Sequence, residues 1–117
     1  GLLSDLVRDF YQDSKGFIWF ANDTEGVLKY DGYTFTPYTN LHSYNTNQIV
    51  CVPYTIAEDQ RGLMWFGTTN GVDILDPTTD KFIHYLPDSF VVLSESKNVV
   101  YKIIVDRENI IWICTRD

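Results

Sequence analysis

A short pattern of Asp, Gly or Asn, and Trp occurs three times in this chain of 117 residues. In each copy the Asp stands six residues before the Trp, and the copies follow each other at intervals of 46 and 47 residues. A fixed period of this length indicates that one supersecondary unit is repeated along the chain. The residues of the pattern are Asp13, Gly16, Trp19, Asp59, Gly62, Trp65, Asp106, Asn109 and Trp112.

The pattern has the chemistry of a tight hairpin turn. An Asp side chain accepts hydrogen bonds from turn amides, and Gly occupies the position that needs a positive φ. Asn109 fits this position because Asn tolerates the left-handed region better than most residues. A Trp that recurs at one strand position is more simply explained by packing between repeats than by sugar stacking. We therefore predict structural roles for all nine residues.

Strand-like segments flank each turn, and two more follow it in the first and second copies. Two prolines, Pro37 and Pro53, fall in the fourth and first of these segments, which fits the edge positions that proline tolerates in a sheet. Four antiparallel strands in about 45 residues are typical of a propeller blade. We predict an all-β, partial β-propeller of about two and a half four-stranded antiparallel blades, incomplete and open. Its units are blade 1 at 1–38, blade 2 at 39–85 and the first half of blade 3 at 86–117.

The number of repeats is too small for a closed propeller, which has roughly four to eight blades. Open blades leave sheet edges and apolar flanks exposed. We expect the remaining blades of a parent propeller to be partners of this chain. We also expect self-association or strand swapping of the fragment.

Residues 7–20 read VRDFYQDSKGFIWF and residues 26–35 read GVLKYDGYTF. These segments, and residues 58–72, closely resemble the two-component regulator propeller repeat. The loop between the second and third strands is one residue longer in the first copy than in the second. In the third copy, Cys114 replaces the Gly that follows the aromatic pair. The resemblance implies the periplasmic sensor region of a hybrid two-component regulator of Bacteroidetes. Such a region senses oligosaccharides and controls glycan-utilisation genes, and the histidine kinase of the parent would lie outside this chain.

Sixteen acidic residues against nine basic ones give a net charge of −7, which disfavours nucleic acid as a partner. No apolar run has the length of a membrane helix, so direct membrane contact is not expected. The sequence indicates no catalytic residues and no cofactor. It indicates no metal either, because His42 and His84 have no further metal ligand at a suitable spacing. Cys51 and Cys114 lie in apolar strand-like runs, which favours small buried thiols over a mutual disulfide.

Any ligand contact is expected on loops that share one face of the propeller. These are the loops between second and third strands and the connections between blades. The alternatives are a propeller scaffold that binds protein without a small ligand, and a propeller enzyme with its catalytic residues in other blades. The candidate ligand-binding residues are Asn22, Asp23, Glu25, His42, Tyr44, Thr68, Thr69 and Asn70.

Overall fold

The structure, a computed structural model, describes residues 7–22, 26–38, 52–69, 71–85 and 96–116. Within these ranges the regular elements are ten β-strands, which form three separate antiparallel sheets. The first sheet contains β1 (Val7–Gln12), β2 (Ile18–Asn22), β3 (Gly26–Tyr30) and β4 (Phe35–Tyr38). The second contains β5 (Pro53–Glu58), β6 (Met64–Thr68), β7 (Gly71–Asp76) and β8 (Lys81–Tyr85). The third contains β9 (Ser96–Val105) and β10 (Ile111–Arg116).

Each strand pairs with the next one along the chain, so the spatial order in every sheet is the sequence order. Pro37 lies in β4 and Pro53 in β5, both of which are edge strands. A proline has no amide hydrogen to donate to the hydrogen-bond ladder of a sheet. An edge strand has a neighbour on one side only, so it tolerates the missing donor better than a central strand does. The prediction of an open all-β assembly of four-stranded antiparallel sheets is confirmed.

The turn between the first two strands of each sheet has the same hydrogen bonds. Asp13 Oδ1 accepts from the amides of the second and fourth residues after it, at 2.9 and 3.0 Å. Asp59 and Asp106 repeat both bonds in their own turns. Gly16 adopts a φ of 92°, and Asn109 takes the corresponding position with a φ of 62°. The turn therefore needs a residue that accepts the left-handed region.

The hydrophobic core lies between sheets. Trp19 of the first sheet packs against Phe66 of the second, with ring centroids 5.7 Å apart, and Ile56 belongs to the same cluster. Trp65 of the second sheet packs in a cluster with Val100 and Ile103 of the third. We call the side of a sheet that carries the Trp its leading face, and the opposite side its trailing face. The leading face of one sheet thus packs on the trailing face of the next.

Burial of the repeated positions depends on the neighbouring sheet. Trp19 and Trp65 are 0% and 8% exposed, whereas Trp112 on the leading face of the third sheet is 57% exposed. On the trailing faces, Ile56 is 3% exposed, whereas the corresponding Phe10 of the first sheet is 69% exposed. Among the described residues, both end faces of the three-sheet stack are therefore partly apolar and open.

Cys114 differs from the expected buried thiol because it is exposed. It stands at the repeat position of Ala21, which is completely buried, and of Gly67, which lies beneath Val100 of the third sheet. The leading face of the third sheet has no such cover among the described residues, so the Cys114 side chain reaches solvent. Cys51 lies outside the described residues, and the pairing of the two cysteines stays untested.

Candidate ligand-binding site at the inner strands

We call the first strand of each sheet its inner strand, because β1 contacts β5 and β5 contacts β9. Each inner strand contains a β-bulge near one end. In β1, Val7 and Asp9 pair with Asn22 and Ala21, so Arg8 is the extra residue of the bulge. A bulge disturbs the regular alternation of side chains and aims the extra residue away from the ladder. Bulges of this kind are frequent next to functional sites.

The other two sheets repeat the bulge at the same position. Tyr54 is the extra residue of β5, because its neighbours in the chain pair with Thr68 and Gly67. Tyr101 is the extra residue of β9, between Val100 and the next paired residue of that strand. Three bulges therefore present three side chains from equivalent positions of successive sheets.

The three bulged side chains stack on one another across the sheets. The guanidinium carbon of Arg8 lies 4.6 Å from the ring centroid of Tyr54. The rings of Tyr54 and Tyr101 are stacked, with centroids 5.2 Å apart and planes at 18°. We call Arg8, Tyr54 and Tyr101 the inner-strand ladder. Arg8 is exposed, Tyr54 is half-buried and Tyr101 is 42% exposed, so the ladder offers a cationic and aromatic surface to solvent.

The ladder lies at the sheet end that also carries the predicted ligand loops. Asn22 ends β2 opposite the start of β1, and Thr68 ends β6 opposite the start of β5. Both side chains are fully buried. The Thr68 hydroxyl donates to the carbonyl of Gly71 at 3.0 Å, which closes the turn between β6 and β7.

Thr69 joins the same loop to the beginning of the inner strand. Its hydroxyl accepts a hydrogen bond from the amide of Val52 at 3.1 Å, and its own amide donates to the Val52 carbonyl at 3.0 Å. Ligand contact by Asn22, Thr68 and Thr69 stays a prediction. The other predicted ligand residues lie outside the described residues: Asp23, Glu25, His42, Tyr44 and Asn70.

A groove runs along the inner strands and is lined by residues that follow the ladder residues in the chain. Its volume is about 310 Å³, and charged and apolar side chains line it together, among them Asp9, Phe10, Lys102 and Ile104. The Oδ2 of Asp9 accepts a hydrogen bond from the amide of Ile56 in the next sheet at 2.9 Å. Aromatic, apolar and charged side chains thus line this groove together, as is usual for a small-ligand site, although the three ladder residues themselves are not part of its lining.

The repeated Asp and Trp residues have structural partners at the other end of the sheets. The Trp19 indole nitrogen donates to Asp13 Oδ2 at 2.8 Å, and the Trp65 indole donates to Asp59 Oδ2 at 2.9 Å. Both tryptophans are buried between sheets. The carboxylate therefore holds the turn with one oxygen and the packing residue with the other, and no face of these two indoles is open to a sugar.

The sequence analysis did not find the inner-strand ladder, although a signal for it exists. Arg8, Tyr54 and Tyr101 each stand five residues before the Asp of the turn, at the same intervals as the Trp pattern. Regular alternation along a strand does not predict that the three side chains meet, because the bulge changes their direction. A search for polar and aromatic residues at each repeat position would have singled them out.

Three repeated sheets packed face to face around their inner strands define this chain as a segment of a β-propeller. The sequence matches the two component regulator propeller family over residues 1–24, 43–70 and 94–117, and the chain belongs to that family. The resemblance stated from the repeat is thereby confirmed. A search among curated proteins found no match.

Two solved structures are similar to this chain. The extracellular domain of BT3049 from B. thetaiotaomicron, a protein assigned to the hybrid two component systems, has 26% sequence identity and a TM-score of 0.75, covering 98% of this chain and 16% of that chain. The extracellular domain of BT4673 from the same organism, with the same assignment, has 21% identity and a TM-score of 0.49, covering 98% of this chain and 20% of that chain. This chain therefore spans a small part of the length of either domain.

Proposed function

We propose that this chain is part of an extracytoplasmic propeller that senses oligosaccharides for a hybrid two-component system. The observation that carries the proposal is the inner-strand ladder, which brings an Arg and two Tyr side chains from three sheets into one stack. The similarity to the extracellular domain of BT3049 supports the extracytoplasmic location. None of the described residues forms a helix long and apolar enough to span a membrane.

The chemistry of the ladder suits a sugar ring. The exposed face of Tyr101 can pack against the apolar C–H face of a pyranose, and the Arg8 guanidinium can donate hydrogen bonds to ring hydroxyls or to an acidic substituent. Hydroxyl, amide and carboxylate groups of the adjoining loops would complete the polar contacts. A ligand that bridges the ladder touches three sheets at once, so its binding is linked to the packing of one sheet on another.

The output of such a sensor lies beyond this chain. The proposed parent combines a periplasmic propeller with a histidine kinase and controls glycan-utilisation genes. This segment contributes to ligand recognition only. It would bind the remaining blades of the parent through its sheet faces. A change in how sheets pack around a ligand is the event that a membrane-linked kinase could detect.

The test is calorimetric titration of the chain, and of its parent sensor domain, with a panel of neutral and acidic oligosaccharides. Tyr101→Ala removes the most exposed ring of the ladder, and we expect at least a tenfold loss of affinity for the saccharide that binds. The matched control is Tyr33→Ala, because Tyr33 is 93% exposed and lies in the turn between β3 and β4. Equal loss in both variants, or no binding by the parent sensor domain, would contradict the proposal.

A second candidate function is a propeller scaffold that binds protein without a small ligand. The exposure of Phe10 and Trp112 on the two end faces favours it, since large apolar side chains on a sheet face are typical of protein contacts. Crosslinking of the chain to other domains of the parent, with no response to saccharides, would favour this function over sensing.

A further inference from the structure

A cleft lies between the first and second sheets, at the end opposite to the inner-strand ladder. Its volume is about 130 Å³. The first sheet contributes the turn after β1 and the end of β3, and the second contributes the turns after β5 and β7. We call it the turn cleft. Its charged lining residues are Asp13, Lys15, Lys29, Glu58, Arg61 and Asp76.

The corresponding space between the second and third sheets is apolar. Lys29 and Glu58 of the turn cleft correspond in the repeat to Ile74 and Val105. Lys29 and Ile74 each pair with the Trp of the neighbouring strand, which confirms that they are equivalent. Ile74 is 5% exposed and belongs to the hydrophobic cluster of Trp65, against which Val105 packs. Packing of one sheet on the next therefore does not require charges here, and the first interface departs from the repeat.

Lys29 places a positive charge on the wall of the turn cleft. Its ammonium nitrogen lies 4.8 Å from the ring centroid of Phe17, 5.5 Å from that of Trp19 and 5.8 Å from that of Tyr38. Aromatic rings attract a cation at these distances, but they do not replace the hydrogen-bond acceptors that its three N–H groups require. Within the described ranges the ammonium forms no salt bridge. Its position is thus fixed while its charge is not neutralised.

Arg61 supplies a second, oriented cation from the other sheet. Its Nε and Nη2 donate to Asp59 Oδ2 at 3.2 and 2.8 Å, and its side chain is 63% exposed. A guanidinium has five N–H hydrogens, so this ion pair leaves three of them for a ligand. Lys15 stands at the same turn position of the first sheet. Three of the nine Lys and Arg residues of an acidic chain therefore meet at one cleft.

The carboxylates of the turn cleft already accept hydrogen bonds from the chain. Glu58 accepts from the amide and hydroxyl of Ser14 at 2.8 and 2.7 Å. Asp76 Oδ1 accepts from the amide and hydroxyl of Thr78 at 2.9 and 2.7 Å. Asp13 holds its own turn and its indole. The cations thus provide most of the hydrogen-bonding capacity that the cleft can offer to a ligand.

We propose that the turn cleft binds an oxyanion, a carboxylate or a sulfate group, between Lys29 and Arg61, with Lys15 at the edge. Ammonium and guanidinium groups donate strong, charge-assisted hydrogen bonds to such a group. The cleft is smaller than the roughly 300 Å³ of a typical small-molecule pocket, so it suits one charged group rather than a whole saccharide. That group is either a free ion or the acidic substituent of a saccharide that lies outside the cleft. The site is separate from the inner-strand ladder and does not rest on the proposed ligand of the ladder.

An anion in the turn cleft also links two sheets. Lys29 belongs to the first sheet and Arg61 to the turn between the first two strands of the second. A ligand that binds both cations binds only when these sheets are packed, so it stabilises their interface by mass action. We therefore expect the midpoint of thermal unfolding to rise with anion concentration.

NMR titration of backbone amides tests the site and locates it. The probes are sodium sulfate and methyl glucuronide, with methyl glucoside as the neutral comparison and sodium chloride to hold the ionic strength constant. We expect both anions to shift the turn amides at 14–17, 60–62 and 78–79, and the glucoside to leave them unchanged. Tighter binding of the glucuronide would identify a saccharide substituent as the ligand, and tighter binding of sulfate a free ion. No shifts with either anion, or equal shifts with the glucoside, would overturn the proposal whatever binds at the ladder.

Lys29→Ile is the most specific variant, because it places the residue type of the next sheet at this position. We expect at least a tenfold loss of anion affinity, with no decrease in the urea concentration at the midpoint of unfolding. Arg61→Gln, on the opposite wall, should lose affinity as well. Arg107→Gln is the matched control, since it removes the same charge from an exposed turn position of the third sheet. An equal loss in this control, or full affinity in Lys29→Ile, would refute the assigned site.

Asp76→Asn should instead bind the anion more tightly. Both hydrogen bonds from Thr78 go to Oδ1, which the Asn side chain retains, so the turn is preserved while a negative charge is removed. We expect about a threefold gain in affinity, the size of effect that one exposed charge produces. Unchanged or weaker binding in this variant would contradict the position proposed for the anion.

Discussion

The carboxylate of Asp59 accepts a hydrogen bond of 2.9 Å from the indole nitrogen of Trp65. Its other oxygen accepts two backbone amides of the turn. One side chain therefore fixes both the hairpin and the ring that packs on the next sheet. The same three bonds occur in all three repeats, so the spacing of six residues between Asp and Trp has a direct physical cause.

Asp59→Asn removes the acceptor of the Trp65 indole and, with it, the ion pair that Arg61 forms with the same oxygen at 2.8 Å. The Asn oxygen can still accept the turn amides, but its NH₂ group then faces the indole N–H of the buried Trp65. An unsatisfied buried donor costs about 1–3 kcal/mol, and we expect a loss of that size in the free energy of unfolding measured in urea. Asp106→Asn is the control, because the exposed Trp112 indole can bond to water and the loss should be smaller. Equal losses would show that the turn amides alone explain the effect.

Stability should fall in acid because of the same carboxylates. Burial by itself raises the pKa of Asp59, but hydrogen bonds from Trp65, Arg61 and the turn amides outweigh it and hold the pKa below its ordinary value of 3.8. The Trp112 indole and the turn amides likewise lower the pKa of Asp106. A lowered folded-state pKa stabilises the fold above the unfolded value near 3.8, and this stabilisation is lost as pH falls through the folded value.

Urea unfolding at a series of pH values below about 5 measures this dependence. The slope of unfolding free energy against pH should be positive in the wild type and smaller in Asp106→Asn, which cannot titrate at this position. Tests in high salt serve as a control for general surface charge, since hydrogen-bonded carboxylates are screened less than exposed charges. Identical slopes in wild type and variant would argue against the pKa shift.

Gly67→Ala should disturb the packing of the second sheet on the third. A Cβ at this position would lie 2.5 Å from Cγ2 of Thr55 and 2.7 Å from Cγ1 of Val100. Overpacking of this kind costs about 1–3 kcal/mol. We expect that loss in thermal or urea unfolding, together with weaker protection of β9 amides from hydrogen exchange. Cys114→Ala, at the equivalent exposed position, should change stability by less than about 0.5 kcal/mol.

The phenol of Tyr38 should titrate late in alkali. Burial, followed by the nearby charge of Asp80 and the hydrogen bond to it, raises the pKa of Tyr38 to about 12 from 10.0. A raised folded-state pKa gives stability that is complete below the unfolded value of 10.0 and lost as pH rises towards about 12. Tyr38→Phe keeps the ring contacts and removes the ionisation. Unfolding free energies should therefore decline less steeply above pH 10 in the variant, and ultraviolet titration should lose its latest phase.

The repeat predicted most of the fold because its chemistry is local. The turn pattern at Asp13 and Gly16 marks where two strands meet, and Pro37 marks an outer edge. Contacts between sheets are harder to read, since they join residues more than forty positions apart. The bond from Asp9 to Ile56 belongs to this class, and no local propensity indicates it.

The predicted ligand loops adjoin the same end of the sheets as the inner-strand ladder, and ligand contact by either stays a prediction. The ladder of Arg8, Tyr54 and Tyr101 depends on three bulges, and a bulge cannot be deduced from alternation of apolar and polar residues. The loops that carry residues 23–25 and 39–51 are not described, so the contribution predicted for them stays open to experiment.

A core that lies between sheets makes each sheet's stability depend on its neighbours. Trp19 of the first sheet packs on the trailing face of the second sheet, and Trp65 packs from its leading face onto the third. The second sheet is therefore covered on both faces, whereas each end sheet is covered on one. In such a linear array, opening begins at the ends and proceeds inwards. The slowest amide exchange is therefore expected in β6 and β7, and a partner that covers either end face would slow exchange throughout the stack without touching its middle.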